Sequence, residues 1–260
     1  MRRLLVLAAA VAAVAAVASE GLVVQTPVLP VVDHVHLIVP DQAKGVEWYQ
    51  KAFGGEKMTE APDRLMFGQT RLIFLRGDKS VASEGSAIDH IGFSAKDIDA
   101  KVKELEALGA KVLTAPRDVP NLFRLAFVQD PWGTKIEIAP VNDSGLDHVH
   151  LRAPDPAQTL AWYKDKFGGE SAKLRDRIDG LKFGNVWLLV QRGEATPSDG
   201  HAIDHFGFRT TDLAKKTAEL KAQGVKYTSE PRPLKLASGT VVNFAYLEGP
   251  AGAKIELVQR

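Results

Sequence analysis

The spacing of apolar and polar positions divides the chain into one unit used four times. His34-Val-His-Leu-Ile-Val39 alternates as a strand does and ends at Pro40-Asp41. Asp41 is placed to cap a helix, because its carboxylate can accept a free first-turn N–H. Val46, Tyr49 and Phe53 then form an apolar stripe at helical spacing, and Gly54-Gly55 predict where the helix stops. Short strands are expected near 56–61, 64–69 and 71–77. The pattern restarts at His90-Ile-Gly-Phe93, with Asp97 as cap, Ile98, Val102 and Leu105 inward, Gly109 as stop and three strands running to Ile138. Leu160, Tyr163 and Phe167, then Leu213 and Leu220, give the same stripes again. The predicted class is α+β, with four βαβββ units forming two consecutive cup-shaped domains. The stripes and the Trp-Tyr pairs are assigned to the core.

An internal repeat underlies this pattern. Asp-His occurs at Asp33-His34, Asp89-His90, Asp147-His148 and Asp204-His205, spaced by 56, 58 and 57 residues. The halves of the chain also match at larger scale. Asp33-His-Val-His-Leu37 returns as Asp147-His-Val-His-Leu151, Phe53-Gly-Gly-Glu56 as Phe167-Gly-Gly-Glu170, and Lys135-Ile-Glu137 as Lys254-Ile-Glu256. The expected domains are residues 31–140 and 147–260, joined by a polar linker at 141–146.

Composition narrows the setting. Arg2 and Arg3 precede an apolar run from Leu4 to Ala18, which ends in the small-x-small tripeptide Ala16-Val17-Ala18. This is the form of a secretory signal peptide over residues 1–18, followed by an extension over 19–30, and it predicts a periplasmic or secreted protein with no membrane attachment once cleaved. Charge is balanced, with 33 Lys and Arg against 32 Asp and Glu, and no basic block speaks for nucleic acid. There is no Cys; a chain of this length can build its cores without disulfides. A small-molecule substrate and a monomeric or homodimeric state are the expected partners.

Alternate side chains of a strand share a face. If each copy curls its sheets into one cup, His34, His90 and Glu137 point into the first and His148, His205 and Glu256 into the second. Two imidazoles and a carboxylate on three strands form a facial set that leaves coordination positions open on a divalent metal. The trio recurs intact in both copies, whereas other polar positions differ, such as Gln69 against Asn185.

These residues carry a resemblance. The Asp-His-Val-x-Leu strand, the Trp-Tyr and Phe-Gly pair around the first helix, the second Asp-His strand and Asp130-Pro-Trp-Gly-Thr-Lys-Ile-Glu137 resemble the vicinal oxygen chelate superfamily of glyoxalases, bleomycin-resistance proteins and extradiol dioxygenases. The likeness covers nearly all of residues 31–260; the second copy of the last motif, Gly249-Pro-Ala-Gly-Ala-Lys-Ile-Glu256, lacks the Asp. It implies metal ligands at His34, His90, Glu137, His148, His205 and Glu256, with Fe, Mn, Zn or Ni as the metal. In glyoxalase I a Glu on the last strand of the first half-unit adds a fourth ligand. The matching positions are Phe74 and Val190, which disfavours that site and makes both substrate-lining candidates.

Extradiol dioxygenases carry a Tyr ten residues before the ligand Glu. Tyr246 holds that place in the second copy and Phe127 in the first, while the His that precedes the Tyr in those enzymes is missing from both. His36 and His150, two residues after a proposed ligand, are the acid–base candidates; the alternative is a supporting hydrogen bond or simple packing. Arg76 and Arg192 either hold an anionic substrate at the cup mouth or pair with Asp78 and Glu194. The expected function is an exported, metal-dependent enzyme that activates a substrate with vicinal oxygens, in dioxygenase or lyase/isomerase chemistry. The alternative is a non-catalytic binding protein of the bleomycin-resistance type.

Overall fold

The computed structural model describes residues 30–140, 145–236 and 239–260; the segment expected to be a signal peptide, nearly all of the expected N-terminal extension and most of the expected linker lie outside them. The first unit is β1 (Val32–Val39), α1 (Gln42–Phe53), β2 (Glu56–Lys57), β3 (Arg64–Phe67) and β4 (Thr70–Arg76). The second is β5 (Ile88–Ala95), α2 (Ile98–Ala107), β6 (Lys111–Asp118), β7 (Arg124–Gln129) and β8 (Lys135–Pro140). The third is β9 (Leu146–Ala153), α3 (Pro156–Phe167), β10 (Glu170–Leu174), β11 (Ile178–Phe183) and β12 (Val186–Arg192). The fourth is β13 (Ile203–Thr210), α4 (Leu213–Ala222), β14 (Tyr227–Lys235), β15 (Val241–Glu248) and β16 (Lys254–Gln259). Asp41 and Asp97 cap α1 and α2 as expected, accepting from the backbone N–H groups of Lys44 and Ala100. Gly54 ends α1 at φ 77°, where a side chain would be strained. The strand expected over 56–61 is cut to two residues, because the chain turns before Pro62. Among the described residues no helix is long and apolar enough to cross a membrane.

The sheets do not follow the copies. One eight-stranded sheet runs β14-β15-β16-β13-β1-β4-β3-β2, and the other runs β10-β11-β12-β9-β5-β8-β7-β6. Each joins a half-unit from one copy to a half-unit from the other, through the antiparallel pairs β1–β13 and β5–β9. The α+β class and the four βαβββ units stand as expected; the correction is that each cup takes one half-unit from each copy and not both from one. The physical reason lies in the apolar stripes. Phe53 on α1 stacks on Phe93 of β5 at 3.9 Å, Tyr49 of α1 donates to Asp130 at 2.8 Å, and Trp48 donates to the Leu108 carbonyl at 2.8 Å. Phe167 of α3 stacks on Phe208 of β13 at 4.2 Å. Helices therefore glue the two half-units of a copy together on the faces opposite their histidines. The histidine faces are left to meet the other copy, where β1 and β5 each satisfy an open edge.

Candidate metal centres

Two groups of buried donors result. The first centre gathers His34 and His36 from β1, His205 from β13 and Glu256 from β16; the second gathers His148 and His150 from β9, His90 from β5 and Glu137 from β8. Within each group one ligand atom per residue lies within 4.8 Å of all the others. All six sequence-predicted ligands are present, but the trios are crossed: His34 joins His205 and Glu256, and His148 joins His90 and Glu137. Strand parity aimed each side chain correctly; it carries no information on which strand lies alongside, because β1 and β9 share the same Asp-His-Val-His-Leu motif.

The aspartates of the four Asp-His pairs have a role that the sequence reading did not assign. Each lies at a register irregularity: the pairing passes from Val32 to His34, from Ile88 to His90, and skips Asp147 and Asp204 in the same way. Such a bulge re-aims a side chain. Each Asp thereby reaches the Nδ1 of the adjacent imidazole, at 3.0 Å for Asp33–His34, 2.7 Å for Asp89–His90 and 2.8 Å for Asp147–His148, with Asp204–His205 closely paired as well. Burial works against all four carboxylates being charged, but the imidazoles and nearby cations outweigh it and hold them below the usual range. An ionised Asp can only accept, so each Nδ1–H donates and each Nε2 is aimed at the centre. This carboxylate–imidazole brace fixes ring orientation and raises donor strength at metal sites.

The donors suit a cation that the ring nitrogens face. Among the described residues, the Nδ1 of His36 and His150 and the Nε2 of His34 and His148 are buried with no hydrogen-bond partner, the last two facing Glu256 and Glu137 at 3.4 and 3.5 Å. His205 Nε2 and His90 Nε2 lie 3.1 and 3.2 Å from Glu256 and Glu137. Burial disfavours charge on His34 and His148, yet the facing glutamates and bracing aspartates lift both to about 9. Burial raises Glu137 and Glu256, but the facing histidines prevail and both are lowered. His36 and His150 are pushed well below the ordinary value, by burial first and then by neighbouring histidines. Proton and metal thus compete for one pocket of negative potential.

Two glycines complete the cradle. A Cβ on Gly207 would stand 2.3 Å from the nearest ring atom of His34, and one on Gly92 2.1 Å from that of His148, so neither ring could keep its place. The signal was available as His-x-Gly in both second half-strands, His90-Ile-Gly92 and His205-Phe-Gly207.

Tyr246 and Phe127 lie directly across from Glu256 and Glu137 on the neighbouring strand, with ring centroids 5.1 Å from His205 and 5.2 Å from His90. Burial, and then the negative charge of Glu256, keep the Tyr246 phenol protonated. Phe74 and Val190 do not line the cups, which corrects their reading as substrate contacts. In the parallel register Phe74 lies across from Leu37 and Val190 across from Leu151, on the helix-packed face, and Phe74 packs on Tyr49 at 5.3 Å. The residues across from His36 and His150 are Ile73 and Leu189. Arg76 and Arg192 share the parity of Phe74 and Val190 at the strand ends; Arg192 donates to the Pro154 carbonyl at 2.7 Å, and neither joins a donor group.

A fold of paired half-units around two buried His/Glu groups defines a class. The model of the Glyoxalase/Bleomycin resistance protein/Dioxygenase superfamily matches residues 31–138 and 145–257, and the chain belongs to that superfamily. Within it, the chain is 29% identical over 126 residues to a lactoylglutathione lyase of Arabidopsis thaliana, covering 44% of this chain and 43% of the relative. It is 25% identical over 149 residues to glyoxalase I of Saccharomyces cerevisiae, covering 44% of each. The chain thus spans less than half the length of these curated relatives. Glyoxalase I from Zea mays has the same fold, with a TM-score of 0.68 at 22% identity over 88% of this chain and 92% of that one.

Proposed function

We propose that this protein is a metal-dependent enzyme of the lyase or isomerase type, acting on a small substrate with two adjacent oxygens. The observation that carries the reading is the pair of buried donor groups, each braced by ionised aspartates and each holding an imidazole Nδ1 with no hydrogen-bond partner among the described residues. The relatives named lactoylglutathione lyase favour lyase chemistry over ring cleavage. A bound divalent metal would supply Lewis acidity, stabilising negative charge on a substrate oxygen. His34, His205 and Glu256 would hold it in the first centre, and His148, His90 and Glu137 in the second. The chain's own residues exclude water around these donors, which are all nine-tenths or more buried. Tyr246 offers a phenolic O–H beside the first centre, and Phe127 offers only a ring edge beside the second.

The test is direct. Protein loaded with Zn(II), Ni(II) or Fe(II) is assayed for formation or loss of lactoylglutathione, and for oxygen uptake with a panel of catechols. Turnover in the first assay, abolished by His205→Ala combined with His90→Ala, supports the reading. Oxygen uptake without it would replace the lyase by a dioxygenase, and ligand binding without turnover or metal would leave a binding protein. Export is part of the proposal, resting on the apolar run from Leu4 to Ala18. An N-terminus at Ser19 in protein recovered outside the cytoplasm is the expected result.

A further inference from the structure

We propose that His36 and His150 are the fourth protein ligands of the two centres, so that each metal is held by three imidazoles and one carboxylate. The inference rests on the metal reading above and extends it. Register carries it first. His36 lies directly across from His205 in the β1–β13 pair, and His150 across from His90 in the β5–β9 pair. Directly opposed residues on one face of an antiparallel pair bring their side chains within contact. The rings follow: His36 is 4.1 Å from His205 between centroids, closer than His34 at 5.9 Å, and His150 is 4.4 Å from His90, closer than His148 at 5.6 Å. A histidine in this position belongs to the donor group by the pairing of the strands.

Buried ring nitrogens are nearly always hydrogen-bonded. His36 and His150 each bury an Nδ1 with no hydrogen-bond partner among the described residues, and each ligand atom falls within 4.8 Å of the other three. Two equivalent exceptions, in two copies of one site, have one explanation if both imidazoles coordinate.

The neighbouring strand offers Ile73 and Leu189 across from these histidines, so β4 and β12 bring hydrocarbon, not oxygen, to that side of each centre. The fourth donor therefore comes from the strand that already carries the first. A third neutral imidazole in place of a second carboxylate leaves the centre one unit more positive. It also selects Zn(II), Ni(II), Cu(II) or Fe(II) over the oxygen-loving Mg(II) or Ca(II).

Copper is the probe that separates the outcomes. Metal-free full-length chain is titrated with Cu(II), and electron paramagnetic resonance counts the coordinated nitrogens from their hyperfine splitting. Wild type is expected to bind two ions per chain with three nitrogens at each. His36→Ala and His150→Ala are each expected to leave two nitrogens at one centre and weaken that ion at least tenfold; His36→Asn and His150→Asn, which keep a polar side chain for folding, should do the same. Two ions with only two nitrogens each in wild type, or an unchanged nitrogen count in all four variants, would overturn the fourth ligand and leave the metal reading standing. No bound ion in wild type would overturn both.

Discussion

The two centres use equivalent strands in equivalent register, yet their surroundings have parted. Behind His34, Asp33 is gripped by three guanidiniums, Arg71 and Arg209 at 2.9 Å and Arg260 at 3.1 Å. Behind His148, Asp147 meets Arg175 at 3.2 Å, while Trp187 and Ser94 stand at the places of Arg71 and Arg209. Tyr246 beside the first centre is matched by Phe127 beside the second, and Arg64 by Gly180. The donors, their bracing aspartates and the two cradle glycines agree; what lies outside that shell does not. The comparison separates what the chemistry demands from what each cup adds. The first centre is richer in positive charge and owns a phenol, and the second is more apolar.

The sharpest way to break the comparison is to ask which histidines share a centre. Paired replacements give an all-or-half result. His34→Ala with His90→Ala strikes one ligand of each centre and is expected to remove both metal ions from the chain. His34→Ala with His205→Ala strikes one centre twice and is expected to leave one ion bound. If each copy formed its own cup, the outcomes would exchange. Metal content by mass spectrometry of the intact chain decides between them.

A smaller change should empty one centre alone. Gly207→Ala drives a methyl against the His34 ring, and Gly92→Ala does so to His148. Overpacking of this kind costs about 1–3 kcal/mol. Each variant should bind one ion per chain and melt at a lower temperature. Retention of two ions in either would show that the imidazole can move aside without leaving the centre.

Acid–base behaviour should distinguish empty from filled centres. His34 and His148 titrate near 9 when no metal is present, above their unfolded value of about 6.5. A raised folded pKa stabilises below the unfolded value, and that contribution is lost as pH rises through the folded one. The metal-free protein should therefore lose stability between about pH 6.5 and 9, whereas the metal-bound protein, its imidazoles already deprotonated, should not. Metal affinity should climb over the same interval with release of protons, measurable by calorimetry in buffers of different ionisation heat. A flat metal-free melting temperature from pH 6 to 9 would remove the charged imidazoles from the account.

Much of this was legible beforehand. The unit order, the caps at Asp41 and Asp97 and the facing of the six candidate donors follow from alternation and repeat, because those patterns are local. The crossing of the copies was not, since strand pairing is set by distant contacts such as Phe53 on Phe93. Phe74 and Val190 were misplaced for a related reason. One residue of offset on a strand exchanges faces, and the parallel register with β1 and β9 decides that offset. The role of the aspartates stayed hidden because it depends on a bulge, which alternation alone does not reveal.

The smallest expected effect concerns the helix-packed cores, where the copies also differ. Tyr49 donates to the buried Asp130 carboxylate at 2.8 Å, and that Asp also accepts from the backbone N–H groups of Trp132 and Thr134. At the matching place in the other copy stands Gly249, and the buried Tyr163 hydroxyl has no hydrogen-bond partner among the described residues. Removing one member of a buried pair costs about 1–3 kcal/mol, while removing an already unsatisfied hydroxyl costs nothing and can help. Tyr49→Phe should therefore lower stability by about 1–3 kcal/mol, and Tyr163→Phe should be neutral or slightly stabilising. Both rings keep their packing in these variants, so chemical denaturation reads the hydroxyl alone. Equal costs at the two sites would mean that Tyr163 has a partner, and that the lost Asp of the second copy has been replaced rather than done without.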